Sequence, residues 1–109
     1  MHIVHVKHYL TADGIHFLKS NWFPKVLFIL TQQMGFISLN NETKISSDDC
    51  VYLILRFQNK ALMDKWDANP NHNGLINELD IYRSRDYWEY ATTHLEESPL
   101  LLQWQKVEM

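Results

Sequence analysis

Four side chains in the second half of the chain have types and spacings that could perform chemistry: Trp66, His72, Arg83 and Arg85. His72 is suited to act as a general base, because an imidazole titrates near neutral pH. Arg83 and Arg85 are two residues apart and would share one face of a strand, where they could stabilise an oxyanion. Trp66 offers a flat aromatic wall. These four residues are the predicted catalytic site. The alternatives are packing for the tryptophan, a helix start for the histidine and a solvated strand face for the arginines.

The histidines and the cysteine do not predict a metal site. His2, His5 and His8 are close in sequence, but residues three apart on a strand point to opposite faces. His2 and His8 share a face and would lie roughly 20 Å apart at ~3.3 Å per residue, and no carboxylate precedes Asp13. Cys50 is the only cysteine, which excludes an internal disulfide and a thiolate cluster and fits a reducing compartment.

The composition is that of one ordinary globular domain. The chain has 109 residues, of which 46% are hydrophobic and 21% are charged, and a chain of this length can bury roughly two-thirds of its unfolded surface around one core. The formal net charge of -3 argues against nucleic-acid binding, which needs clustered lysines and arginines. The N-terminus lacks the pattern of a secretory signal, and no run approaches the ~20 apolar residues of a membrane span. We therefore expect a cytoplasmic protein that binds neither nucleic acid nor membrane.

Hydrophobic periodicity and turn residues predict four strands and two principal helical regions. Pro24 interrupts the first helical region, and we expect a kink or a short break near residues 21–23 because the proline ring would clash with the carbonyl four residues earlier. Asn59 is expected to cap the second helix and Pro70 to stop it. The predicted elements, in chain order, are a strand at residues 2–10, a helix at 14–33, a strand at 35–39, a strand at 50–57, a helix at 59–67, one or two further turns at 71–79 and a strand at 83–91.

This order of elements predicts the fold class. The sequence β-α-β-β-α-β is typical of an α+β, ferredoxin-like fold, in which a four-stranded antiparallel sheet carries both helices on one face. RNA-recognition motifs share the order, but the predicted strand at residues 50–57 lacks their basic-Gly-aromatic signature. We therefore do not expect the sheet to bind RNA.

Both faces of the predicted sheet are too apolar to be left in water. On the third strand, Tyr52 and Ile54 alternate with Val51 and Leu53, so that a second cover is needed opposite the helices. We expect a homodimer in which a second copy supplies this cover. The alternative cover is the C-terminal tail with its leucines at 100–102 and Trp104, and a tail exchanged between subunits would satisfy both.

The domain organisation follows from the same argument. Residues 1–95 are predicted to form the ferredoxin-like domain. Residues 96–109 are predicted to form a tail that packs on the sheet or on the partner subunit.

Short motifs between residues 33 and 72 carry a family resemblance: the helix-to-strand junction Gln33-Met34-Gly35-Phe36, the strand end Leu55-Arg56-Phe57, the helix residues Lys60-Ala61-Leu62 and Trp66, and the break Asn69-Pro70-Asn71-His72. With these motifs the chain resembles the antibiotic biosynthesis monooxygenase-like family of the dimeric α/β-barrel superfamily. The similarity covers roughly residues 2–91.

The resemblance implies a dimeric barrel with a pocket between sheet and helices for a small aromatic or quinone-type ligand. It also implies oxygenation without flavin, metal or haem, in which the ligand's own enolate or phenolate reduces oxygen, and it implies that Trp66 lines the pocket. Leu62 stands where such enzymes carry an asparagine one helical turn before the tryptophan. Ile76 stands where haem-degrading relatives carry their iron-ligating histidine, so no haem is expected.

Two functions from different classes remain as hypotheses. One is a cofactor-independent monooxygenase-like protein, and the other is a non-catalytic ligand-binding or dimeric assembly module with a core filled by side chains. A sealed interior packed by Phe17, Phe23, Leu62 and Trp66 would favour the module. An open pocket with converging polar groups would favour the enzyme.

Overall fold

The computed structural model describes residues 1–43, 46–47 and 49–92. Its elements, in chain order, are β1 (His2–Tyr9), α1 (Ala12–Phe17), a π-helical segment (Leu18–Trp22), α2 (Phe23–Leu30), β2 (Phe36–Asn41), β3 (Cys50–Phe57), α3 (Lys60–Asp67), α4 (Pro70–Asp80) and β4 (Trp88–Thr92). Across this described part, every helix is too short or too polar to cross a membrane.

The four strands form one antiparallel sheet in the order β2-β3-β1-β4. The two central strands, β1 and β3, pair along their whole length, from His2 opposite Phe57 to Tyr9 opposite Cys50. This strand order with helices between the strands is the ferredoxin-like α+β arrangement. The predicted fold class is confirmed.

Apolar side chains lie on both faces of the sheet, as predicted. The inner face, which the helices cover, contributes residues of both central strands to the main core, among them Val4, Val51, Leu53 and Phe57. The outer face carries a separate buried cluster of Ile3, Tyr52 and Ile54, against which Trp88 packs. On the outer face β3 contributes Tyr52 and Ile54 to this cluster and β1 contributes Ile3, so the sheet lacks the fully solvated second face of a simple antiparallel sheet.

A π-helical turn, rather than a loop, interrupts the first helical region. Pro24 has no N–H to donate to the carbonyl of Ser20, and the N–H of Phe23 bonds to the carbonyl of Leu18, five residues back. The predicted interruption of the helix takes the form of this turn, which begins at Leu18 and therefore earlier than predicted. Leu18 and Trp22, the first and last residues of this turn, are both buried.

Asparagine side chains set the start of α3 and α4. Asn59 Oδ1 accepts from Leu62 N at 2.9 Å, and Asn69 Oδ1 accepts from Asn71 N at 2.8 Å. Pro70 is the first residue of α4, where its missing N–H is not needed. The predicted break before Pro70 is confirmed, but α4 has 11 residues and is longer than the one or two turns predicted.

The last strand is shorter than predicted, because β4 begins at Trp88 and not at Arg83. Arg83 lies three residues beyond the end of α4, donates from Nε to Asp80 Oδ1 at 2.8 Å and forms an isolated bridge with Leu10. Pairing between β1 and β4 starts at Lys7 opposite Trp88. The prediction that Arg83 and Arg85 share one face of the last strand is therefore wrong.

Three predictions fall on residues outside the described part of the chain. These are the boundary between residues 1–95 and 96–109, the packing of the tail, and the role of the leucines at 100–102 with Trp104.

Gly35 is at a position that only glycine fits, and Gly74 provides a matched control. Gly35 has φ of +84°, and a Cβ there would overlap the side chain of Leu62. Gly35→Ala should lower the free energy of unfolding by at least about 1–2 kcal/mol, the usual cost of a left-handed residue. A Cβ at Gly74 in α4 would meet no atom within 4 Å, so Gly74→Ala should raise it by up to about 1 kcal/mol. Urea unfolding measures both, and equal effects of the two substitutions would contradict the argument.

Candidate functional site

A cavity of about 310 Å³ lies between the inner face of the sheet and the helices. Its apolar walls come from two tryptophans, Trp22 and Trp66, and from leucines of β2 and β3, Leu39, Leu53 and Leu55. This volume is at the lower end of the range usual for small-molecule sites, roughly 300–1,000 Å³. The cavity can hold an aromatic ligand of two or three rings.

Two of the four predicted site residues, Trp66 and His72, line this cavity together. Trp66 is near the C-terminal end of α3, on the buried side of the helix, and is only 3% exposed. His72 lies in the first turn of α4. The short Asn69-Pro70 connection turns the chain so that the edge of the imidazole meets the indole, with ring centroids 5.3 Å apart. His72 Nδ1 is buried and has no hydrogen-bond partner among the described residues.

The two predicted arginines are not part of the cavity lining. The guanidinium of Arg85 lies 4.4 Å from the ring centroid of Tyr9, a residue of the outer face. Arg83 reaches the site indirectly, because its Nη1 is 3.2 Å from Nδ1 of His8, which does line the cavity. Arg83 also lies over the ring of Tyr87, at 5.2 Å from the centroid.

Sequence reasoning missed His8, which is the most deeply placed polar residue of the site. His8 is 3% exposed and lies between the rings of Trp22 and Tyr87, with centroid distances of 5.8 and 5.9 Å. Burial, together with the nearby charge of Arg83, lowers the pKa of His8 to about 3. The signal in the sequence was its position on β1, in the same alternating series as Val4 and Val6.

Because Arg83 can only donate, its bond to His8 fixes the tautomer. Nδ1 of the imidazole must be the acceptor, and in the neutral ring the proton is then on Nε2. His8 is therefore a neutral hydrogen-bond donor in the cavity wall at physiological pH.

Two carboxyl groups, Asp67 and Glu89, also line the cavity and were missed. Both residues are exposed, which places them at the rim. Asp67 Oδ1 is 3.8 Å from His72 Nε2. Partial burial raises the pKa of each carboxyl group, and the proximity of Asp67 adds to the rise for Glu89. The sequence held one signal for Glu89, because it lies between Trp88 and Tyr90 on β4. Side chains alternate between the faces of a strand, so Glu89 must point to the face opposite to that of the two aromatic residues.

The π-helical segment positions Trp22 in the wall. Trp22 Nε1 donates to the carbonyl of Leu75 at 2.8 Å, a buried bond that ties this segment to α4. The indole is thus fixed next to His8 rather than free to change rotamer. The indole N–H of a buried tryptophan usually has a hydrogen-bond acceptor of this kind.

The three N-terminal histidines take up the alternating arrangement that strand geometry predicts. His8 faces the helices, whereas His5 is on the outer face, where its Nδ1 is 3.1 Å from the hydroxyl of Tyr52. In the part of the chain that the structure describes, no three His, Cys, Asp or Glu side chains converge as metal ligands would. Leu62 packs over Gly35 and is outside the cavity lining, whereas Ile76 is in it.

Comparison with solved structures finds many proteins of this fold. An antibiotic biosynthesis monooxygenase superposes with a TM-score of 0.72 at 12% identity, over 87% of this chain and 99% of the other. A variant of SnoaB, a cofactor-independent oxygenase from Streptomyces nogalater, gives 0.67 at 15%, over 90% and 97%. A monooxygenase from the gene ActVA-Orf6 of Streptomyces coelicolor, in complex with nanaomycin D, gives 0.74 at 13%, over 89% of each chain.

This chain has the fold of the antibiotic biosynthesis monooxygenases. The resemblance inferred from residues 33–72 is thereby confirmed as a likeness of fold. No family sequence model matches the chain, and neither does any curated protein.

The burial of neutral His8 makes the stability of the protein depend on pH. Between pH 6.5 and about 3 the unfolded chain binds a proton at His8 that the folded chain excludes. The contribution of His8 to stability is therefore complete above pH 6.5 and is lost by about 1.4 kcal/mol for each pH unit below it. His8→Gln, which keeps an acceptor for Arg83, should give a shallower loss of unfolding free energy between pH 6.5 and 4 in urea titrations.

His16 is an exposed histidine of α1 and provides the control. His16→Gln should leave the pH dependence of the wild type in place. Parallel curves for the wild type and His8→Gln would mean that folding does not lower the pKa of His8.

Proposed function

We propose that the protein binds a small aromatic or quinone-type ligand in the cavity and, where the ligand carries a phenolic or enolisable group, oxygenates it without flavin, metal or haem. A ring carbon of the ligand becomes a carbonyl, the second oxygen atom leaves as water, and the ligand is the reductant. The fold is shared with a cofactor-independent oxygenase and with a monooxygenase in complex with nanaomycin D. In such a reaction the ligand's own enolate or phenolate reduces oxygen, so the protein must bind, orient and deprotonate the ligand and keep water out.

The observation that carries this proposal is the open cavity with polar groups converging on aromatic walls. His8, His72, Asp67 and Glu89 all line it, next to Trp22 and Trp66. Phe17, Phe23 and Leu62 pack against the core from outside the lining and do not fill the space. A large apolar pocket with a few convergent polar groups and shifted pKa values is the usual form of a ligand site.

Within this proposal the predicted residues have distinct roles. Trp66 supplies a wall on which an aromatic ring can stack. His72 is the proposed base, because its imidazole lines the cavity and has Asp67 beside it to stabilise the imidazolium form.

The second candidate is a non-catalytic ligand-binding or dimeric assembly module. Leu62 favours it, because this apolar side chain covers Gly35 where the resemblance places an asparagine. Binding without oxygen uptake is the result that distinguishes this candidate from the oxygenase.

Ligand binding and turnover can be tested with dihydroxynaphthalenes, naphthoquinones and haem. A dihydroxynaphthalene or a quinone should raise the melting temperature of the wild type, and haem should not. Trp66→Phe should lose at least half of the ligand-induced shift, because the smaller ring leaves part of the wall empty. Trp88→Phe, on the outer face, should keep the shift. Oxygen uptake above the rate of the ligand alone identifies the oxygenase, and an absence of any ligand-induced shift would contradict the proposal.

We also propose that the protein is a homodimer joined through the outer face of the sheet. Ile3, Tyr52 and Ile54 are already buried within one chain, so the surface left for a second copy is formed by Trp88 and Tyr90, whose nearly parallel rings are 6.1 Å apart. Tyr90 is 39% exposed. An apolar sheet face rimmed by aromatic side chains is the kind of surface that a second copy can cover by two-fold symmetry.

A charge placed in this face should separate the subunits. Tyr90→Asp should shift the protein from dimer to monomer in sedimentation velocity, because the carboxylate would be buried without a partner. Phe28→Asp is the matched control, because Phe28 is 67% exposed on α2, in the helical layer. A wild type that sediments as a monomer at all concentrations would disprove the dimer.

A further inference from the structure

The cavity has two chemically different ends. One end, called the closed end here because its lining residue His8 is only 3% exposed, holds this histidine as an Nε2–H donor bonded to Arg83. At the rim are the carboxyl groups of Asp67 and Glu89. Among the described residues that line the cavity there is no lysine or arginine.

The register of the sheet gives the spacing between these ends. Glu89 of β4 is directly opposite Val6 of β1, and His8 is two residues further along the same face. Diagonal neighbours of this kind are about 7–8 Å apart. One two-ring ligand can therefore reach from His8 to the rim.

Both ends of the cavity favour an uncharged ligand, each for a different reason. A buried neutral donor is best satisfied by an uncharged acceptor such as a carbonyl oxygen, because a donor left unpaired on ligand binding costs affinity. The rim carboxylates repel an anion, and no cation in the described lining offsets them. Arg83 strengthens the donor from behind, because its positive charge polarises the imidazole to which it is bonded.

We propose that His8, oriented by Arg83, is the residue that anchors a ligand carbonyl at the closed end of the cavity, and that the Asp67–Glu89 rim selects uncharged aromatic ketones or quinones over anionic ones. This inference rests on the proposed ligand binding and adds the polarity of the site to it. His8 touches the ligand, whereas Arg83 acts as a positioning residue.

Three two-ring probes test the carbonyl anchor by isothermal titration at low ionic strength. They are 1-tetralone, tetralin, which lacks the carbonyl, and a 1-tetralone with a carboxylate on its aromatic ring. The wild type should bind tetralone about tenfold more tightly than tetralin, which is the usual worth of one hydrogen bond. His8→Phe keeps a flat ring but no donor, and it should bind the two probes equally.

The outcomes separate this inference from the function on which it rests. Equal binding of tetralone and tetralin by the wild type would overturn the carbonyl anchor and leave an aromatic site in place. Binding of neither probe would overturn both. A preference for tetralone that persists in His8→Phe would also overturn the assignment, because the donor would then be another group.

The rim is tested with the carboxylate probe. The wild type should bind it at least tenfold more weakly than tetralone, and Glu89→Gln should recover several-fold of this difference, because it removes a charge without changing shape. Added salt should reduce the difference, since the rim is exposed. Carboxylate binding as tight as that of tetralone would overturn the selection.

The role of Arg83 has a signature that needs no ligand. In ¹⁵N NMR spectra of the histidine side chains, His8 should be the Nε2–H tautomer in the wild type, and Arg83→Met should shift it towards a mixture of tautomers. Arg83→Lys should restore the signature in part, because lysine also only donates. Arg85→Met, which alters an arginine on the other side of the sheet, should leave it unchanged. A proton on Nδ1 of His8 in the wild type would overturn the positioning role.

Discussion

The antiparallel register of β1 against β3 is the constraint on which the site depends. Side chains alternate between the faces of a strand, so a slip of one residue would turn every side chain to the opposite face. In the observed register His8 faces the helices and His5 faces outward. The difference between the two faces of β1 fixes this register, because a slip of one residue would turn His5 and Lys7 towards the helices and Val4 away from the main core. The chemistry of the cavity is thus set by packing.

Sequence patterns predicted the elements well where hydrophobic period and capping residues agreed. The strand at Cys50–Phe57 and the asparagine caps at Asn59 and Asn69 were recoverable because each depends on neighbouring residues alone. The start of β4 was not recoverable. Arg83 is held next to the end of α4 by its hydrogen bond to Asp80, and strand propensity takes no account of such a contact. Likewise, the position of the π-helical turn depends on which residues the helix must bury as well as on Pro24.

The candidate site was only half recoverable for a related reason. Trp66 and His72 are adjacent in space because one short connection joins their helices, and local sequence describes that connection. His8 and Arg83 are 75 residues apart and meet only through the fold. A single sequence indicates that His8 is at a core-facing position of β1, but it does not indicate that the guanidinium of Arg83 will hydrogen-bond to the imidazole. The partnership of the two, and therefore the tautomer, is a property of the tertiary structure.

The π-helical segment lets one residue be removed without turning the helix that follows. Its wide turn holds one residue more than an α-helical turn, so deleting one residue from Leu18–Trp22 would leave an α-helical turn and keep Val26 and Leu30 in the cavity wall. Such a deletion would change the local placement of Trp22, whose ring borders His8. A single-codon deletion in this segment is thus a short evolutionary route to a differently shaped closed end on an unchanged scaffold.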